Sequence, residues 1–307
     1  MTQPNHPGRV LRDRLAQATT LGPVGAPGAF NALTARAIAK AGFDACYVSG
    51  AATSVDAGVP DIGLLTLEHF ARKVREVADA SGLPVIADAD TGFGEAEMVR
   101  RTVIDYHRAG AAGLHIEDQE FPKRCGHLDG KRLISADHAA EKVEWAVKAS
   151  RDCSDGSFIV CARTDARSVD GFDAAVSRAR LFVEAGADMI FPEGLTSEDE
   201  FAAFADAMKS ASPRALWLLA NMTEFGKTPM IPLSRFGELG YHFVIWPVTT
   251  LRIAMKAVTD ALADLARHGS PEPWLDRMQT RAELYDLIGY TPGKPWELPT
   301  NAAPSKQ

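Results

Sequence analysis

One unit recurs along this chain: a short apolar run ending in small or polar residues, then a stretch with apolar positions three or four apart that closes at glycine. The first pattern predicts a buried strand and the second an amphipathic helix. Eight apolar runs occur, at Gly22–Ala26, Ala45–Val48, Pro84–Ala87, Gly113–Ile116, Phe158–Cys161, Asp188–Phe191, Leu216–Ala220 and Phe243–Trp246. Between them, Thr66–Ala80 carries Leu67, Phe70, Val74 and Val77 at helical spacing and stops at Gly82. Ser197 and Glu200 have the spacing of a capping box, and Leu233–Leu239 and Ile253–Ala266 predict the seventh and eighth helices. Eight alternations in one domain-sized length predict an α/β fold, a (β/α)8 barrel of the TIM type, although a doubly wound open sheet alternates in the same way.

The 307 residues fit a single barrel domain, with the barrel at about 11–268 and flexible ends at 1–10 and 291–307. A helical extension at about 269–290, chiefly Pro273–Ile288, has no strand to cover, so it is expected outside the barrel or on a neighbouring subunit.

Composition narrows the function. A formal charge of −7 offers no basic footprint for nucleic acid or an anionic membrane surface, so an anionic substrate must be held by local charge. The four cysteines form no CxxC pair, and neither a signal peptide nor a membrane-spanning run is visible, which predicts a cytoplasmic protein.

Catalytic groups of a barrel sit at the C-terminal ends of its strands, and here those ends are polar. They carry Ser49-Gly50, Asp88-Ala89-Asp90, Glu117-Asp118, Arg163-Thr164-Asp165, Glu193, and Asn221 with Thr223. Asp88 and Asp90, two apart, share one face, and Glu117 ends the neighbouring strand; hard carboxylate oxygens so grouped suit Mg²⁺, with Mn²⁺ as a substitute. A single strand-end aspartate can equally cap the next helix. The connection Gln119 to Ile134 is longer than the ~2–6 residues usual for such a loop, and it carries Lys123-Arg124-Cys125-Gly126-His127. Cationic neighbours lower a thiol's pKa, which makes Cys125 a candidate proton donor or nucleophile, with Lys123 and His127 as partners. Arg163 suits carboxylate binding, whereas spacing alone leaves Arg252 and Arg281 as residues of a solvated helix face.

These blocks, together with Tyr47-Val48-Ser49-Gly50, Pro60-Asp61-Ile62-Gly63, Ala87-Asp88-Ala89-Asp90-Thr91-Gly92-Phe93-Gly94, Phe191-Pro192-Glu193 and Met278-Gln279-Thr280-Arg281, resemble the isocitrate lyase and phosphoenolpyruvate mutase superfamily from about Pro27 to Tyr290. The similarity is strongest to its methylisocitrate lyase branch, because the cysteine-bearing loop is absent from the mutase and phosphonopyruvate-hydrolase branches. The resemblance implies Mg²⁺ on Asp88 and Asp90, with Asp61 and Glu117 assisting. It implies a small polycarboxylate substrate touching Ser49, Gly50, Ala51, Cys125, Gly126, Arg163, Glu193, Asn221, Thr223, Arg252 and Arg281. Ala51 stands where close relatives usually carry a second glycine, and Leu128-Asp129-Gly130-Lys131 is similar to the dimethylmalate lyases.

The implied reaction is a retro-aldol cleavage of a tricarboxylate of the methylisocitrate type into pyruvate and succinate, with Cys125 giving the final proton and Tyr47 as candidate base. A dimethylmalate or oxaloacetate-cleaving enzyme, or a silent carboxylate-binding barrel, are the competing readings. The relatives also imply a homo-oligomer, a tetramer, in which the C-terminal helices are exchanged.

Overall fold

A computed structural model of the chain describes residues 6–126, 128, 130–212 and 214–296. Its eight strands are β1 (Val24–Pro27), β2 (Cys46–Val48), β3 (Val85–Asp88), β4 (Gly113–Glu117), β5 (Ile159–Thr164), β6 (Met189–Pro192), β7 (Trp217–Asn221) and β8 (Phe243–Trp246). All pair in parallel in the order β1-β8-β7-β6-β5-β4-β3-β2. A bridge from Gly28 to Tyr47 brings β1 back to β2 and closes the barrel. The expected strands are all present, each displaced by no more than three residues at an end.

Period-two alternation sorts each strand's side chains into a barrel lining and an outer face. Tyr47, Ile86, Cys161, Phe191, Leu219 and Ile245 face inward as one apolar cluster, and the next inward position toward the C-terminus is Ser49, Asp88, Arg163, Glu193, Asn221 and, on β8, Pro247. The site is therefore the uppermost layer of the lining. The outward residues pack on the helices: in Leu67–Ser81 the residues Leu67, Phe70, Val74 and Val77 are buried, and Gly82 ends the helix in the left-handed conformation at φ 65°.

Three expectations change. The segment 7–10, expected to be flexible, opens a helix, Pro7–Ala16, whose Leu11 and Leu15 plug the bottom of the barrel. An i, i+4 pair in a charged, proline-flanked stretch is too short a pattern to read as helix, and only the barrel floor gives it a partner. At Ser197 the capping box is half made: its Oγ accepts from the Glu200 N–H at 3.2 Å, but the Glu200 carboxylate turns to the Thr196 N–H and to Arg167. The stretch Pro273–Ile288 is not one helix; it divides into a 3-10 turn, Glu272–Arg277, and a helix, Arg281–Leu287, opened by a reciprocal Thr280–Glu283 capping box.

That last helix lies against the chain's own helix Ala32–Lys40: Lys40 pairs with Asp286, and Arg36 donates to the Ile288 carbonyl at 3.2 Å. The preceding helix, Thr249–His268, is longer than expected and buries only Leu251, leaving Ile253, Met255, Val258, Leu262 and Leu265 exposed.

Candidate active site

Ser49 follows β2 and caps the helix Gly50–Asp56, its Oγ accepting from the Ala52 N–H. The Gly50 N–H donates to Asp88 Oδ2 at 3.0 Å, and a Cβ on residue 50 would stand 2.5 Å from that oxygen. Only glycine lets the backbone meet the carboxylate. Gly50→Ala should therefore push Asp88 aside and cost roughly tenfold or more in kcat/KM, and an unchanged value in a steady-state assay would refute the fit.

Asp88, Asp90 and Glu117 are buried at the ends of β3 and β4, with Asp61 close by on the preceding loop. Lys123 reaches down from the long loop and sets its ammonium 2.5 Å from Asp61 and 2.7 Å from Asp90. Burial opposes that charge, yet Glu117, Asp90, Asp88 and Asp61 together hold the lysine pKa well above its ordinary value. Burial conversely pushes the Asp90 carboxyl up to about 6 against the pull of Lys123, and drives Glu117 well above the usual range despite Arg163. Asp61 Oδ1, Asp90 Oδ1 and both Glu117 oxygens are buried; apart from the ammonium of Lys123 beside the two aspartates and the guanidinium of Arg163 at 3.3 Å from Glu117, they have no hydrogen-bonding partner among the described residues. Among the described residues no three acidic, histidine or cysteine side chains are clustered closely enough to hold a cation unaided. Mg²⁺ binds readily to one or two carboxylates while retaining waters, so buried hard oxygens with so few donors fit it.

Arg163 lies across the floor of the cavity. Its Nε is 3.0 Å from Asp165, and its terminal nitrogens are 3.3 Å from Glu117 and 3.5 Å from Glu193. Phe191 supports it, with the guanidinium carbon 5.1 Å from the ring centroid. From β7, the Asn221 amide donates to Glu193 at 3.1 Å and its Oδ1 accepts from Thr223 at 2.8 Å. The cavity bounded by these groups is also lined by Tyr47, Ser49, Ala51, Asp61, Asp88, Lys123, Cys125, Gly126 and Arg252.

The long loop is clamped. Gln119 receives the Arg124 N–H and donates to the Arg124 carbonyl, both at 2.9 Å, and so fixes the residue before Cys125. Gly126 passes so close to Arg163 that a Cβ there would lie 2.4 Å from Nη2. Cys125 thereby faces the cavity, half-buried. His127 lies outside the described residues.

Tyr47 borders the cavity from below, whereas Arg281 lies away from it. Tyr47 sits one layer down, its hydroxyl 2.7 Å from His115 Nε2, and burial with Asp88 nearby pushes its pKa well above the ordinary value. Arg281 is exposed at the start of its helix and does not line this cavity. Arg252 does, but its side chain is 41% exposed and ion-paired to Glu224 at 3.3 Å. The sequence assigned no role to His115, buried beneath the site, or to the pair Lys131 and Asp165, which joins the loop to the end of β5. A lysine in a loop gives no local sign of burial.

The family model described as phosphoenolpyruvate phosphomutase matches residues 11–266. The chain is 52% identical to the protein named "Probable 2-methylisocitrate lyase 1" of Corynebacterium glutamicum, over 86% of this chain and 84% of the relative. It is 49% identical to the 2-methylisocitrate lyase of Aeropyrum pernix, over 92% of this chain and 88% of the relative. Among solved structures, that of a 2,3-dimethylmalate lyase of the same superfamily superposes with a TM-score of 0.85 at 36% identity, covering 92% of this chain and 91% of the other.

Proposed function

Because the chain belongs to the phosphoenolpyruvate phosphomutase family, in the superfamily that includes isocitrate lyase, we propose that it is a carbon–carbon lyase cleaving 2-methylisocitrate to pyruvate and succinate. The observation that carries this reading is the clamped loop, which holds Cys125 at a cavity shared with Arg163, Asn221 and Thr223. Parallel assays of pyruvate release from methylisocitrate, isocitrate, dimethylmalate and oxaloacetate test it. Faster turnover of either of the last two would overturn the assignment. The dimethylmalate reading has support from the 36% identical structure, but methylisocitrate lyases share more of this sequence.

The residues divide the work. Ser49, Gly50 and Gly126 offer close backbone approach to substrate carboxylates. Arg163, Asn221 and Thr223 are positioned to hold negative charge as it develops on the departing succinate carbon. Cys125 delivers a proton to that carbon from the loop side. A bound Mg²⁺ would lower the cost of forming the alkoxide at the substrate's 2-hydroxyl, and Tyr47, bordering the cavity and hydrogen-bonded to His115, is the group placed to take that proton. Asp88 and Asp90 would hold it directly or through water, with Asp61 and Glu117 in support, and Lys123 would have to share or yield its place among them. Asp90→Ala should weaken Mg²⁺ binding by roughly tenfold or more in calorimetry. Undiminished turnover by the wild type in excess chelator would remove the metal from the mechanism.

The exposed apolar face of Thr249–His268 supports a homo-oligomer in which this helix covers a second copy, consistent with the expected tetramer. Replacing Ile253, Val258 and Leu262 by serine should lower the oligomeric mass in light scattering, and a full-length wild-type monomer would contradict the reading. Four free thiols, and no described helix long and apolar enough to cross a membrane, fit a cytoplasmic enzyme.

A further inference from the structure

The geometry assigns Lys131 as a positioning residue: a buried latch that ties the cysteine-bearing loop to the end of β5 and sets the height of Cys125 above Arg163. Its ammonium, fully enclosed, is 2.7 Å from Asp165 Oδ1 and also donates to the Gly126 carbonyl. An ammonium is withdrawn from water only where partners replace its hydration, and here one partner is the backbone of the residue next to Cys125.

The other partner is equally placed. Asp165 receives Arg163 Nε at 3.0 Å and Nη2 at 3.2 Å, so one carboxylate aims the substrate-binding guanidinium and the latch together. Asp165 is itself fixed, because its N–H donates to Asp118 at 2.9 Å and Asp118 accepts from Thr164 at 2.7 Å and pairs with Arg178. Above the latch, the missing side chain of Gly126 admits Arg163. With Gln119 gripping residue 124 and Lys131 gripping residue 126, the thiol between them has little freedom. The Gln119 clamp closes within the loop, whereas the Lys131 clamp joins it to the barrel. Losing Lys131 should let the loop lift without unfolding the protein.

The chemical role of Cys125 rests on the function proposed above, but the latch is tested without substrate. The full-length protein is treated with iodoacetamide and Cys125 labelling is followed by peptide mass. Lys131→Met should raise the rate by roughly tenfold or more while melting stays cooperative. Lys131→Gln, which keeps a donor for the Gly126 carbonyl but not the charge, should fall between the two. A rate within about twofold of wild type in whichever variant folds overturns the latch. A measurement on the wild type needs no variant: Lys131 should resist acetylation by acetic anhydride while exposed lysines react, and prompt labelling of Lys131 also overturns it. With methylisocitrate the Met variant should lose kcat more than it raises KM. If the labelling results hold and no pyruvate is released by wild type, the latch stands and the proposed reaction falls.

Discussion

Replacing Cys125 by serine should cut kcat by about a hundredfold or more, with the melting temperature almost unchanged. The size is that of a lost general acid. An alcohol is a far weaker acid than a thiol, so it is slow to give the proton that completes succinate, although it fills the same space. Stability should survive because the side chain is half-buried on a loop and belongs to none of the three apolar clusters. Substrate binding should change little, because Arg163, Asn221 and the Gly50 backbone remain. The measurement is steady-state pyruvate release beside a thermal melt. Near-normal turnover in the serine variant would move the proton donor elsewhere in the cavity.

Much of this site was legible in the sequence because a barrel converts a one-dimensional rule into a place. The last inward position at or next to the end of each strand, two past the inward residue before it, arrives at the same rim. Asp88, Glu117, Arg163, Glu193 and Asn221 meet for that reason, and no distance information is needed to foresee it. Cys125 was legible because a thiol among Lys123, Arg124 and His127 fits no core.

What the sequence did not show depends on tertiary partners. Lys131 sits in a polar loop and reads as solvated until Asp165 and the Gly126 carbonyl appear beside it. Leu11 and Leu15 look like strays in a charged tail until the barrel floor is above them. Tyr47 was legible as a residue at the cavity, but its partner was not: only the pairing of β3 with β4 brings His115 within 2.7 Å of its hydroxyl. Spacing could not separate Arg252 from Arg281, since both lie in helices with polar neighbours. Only β8 and its following loop bring the first to the cavity.

Arg252 should set the choice of substrate. Methylisocitrate carries a third carboxylate that dimethylmalate lacks, and Arg252 is the cation at the cavity's open side, resting between Glu224 and the face of Phe225 at 5.3 Å. Because the guanidinium is 41% exposed and already paired, leaving it without substrate carboxylate is not the severe penalty of a buried orphan charge. Its contribution is better set by a charge-assisted hydrogen bond, about 1.5–3 kcal/mol. Arg252→Met should therefore lower kcat/KM for methylisocitrate by roughly 10- to 100-fold and leave dimethylmalate nearly untouched. Isocitrate, which keeps all three carboxylates, should fall in parallel with methylisocitrate. In the wild type it should trail by only the worth of one methyl, ~1–3 kcal/mol, against an apolar wall for which Phe191 is the candidate. Arg281→Met, outside its own chain's cavity, should do less unless a second copy brings that residue in, so a large loss on its removal would place the C-terminal helix of one subunit at the active site of another. Equal losses for all substrates in Arg252→Met would show a general structural role and remove the tricarboxylate preference from this residue.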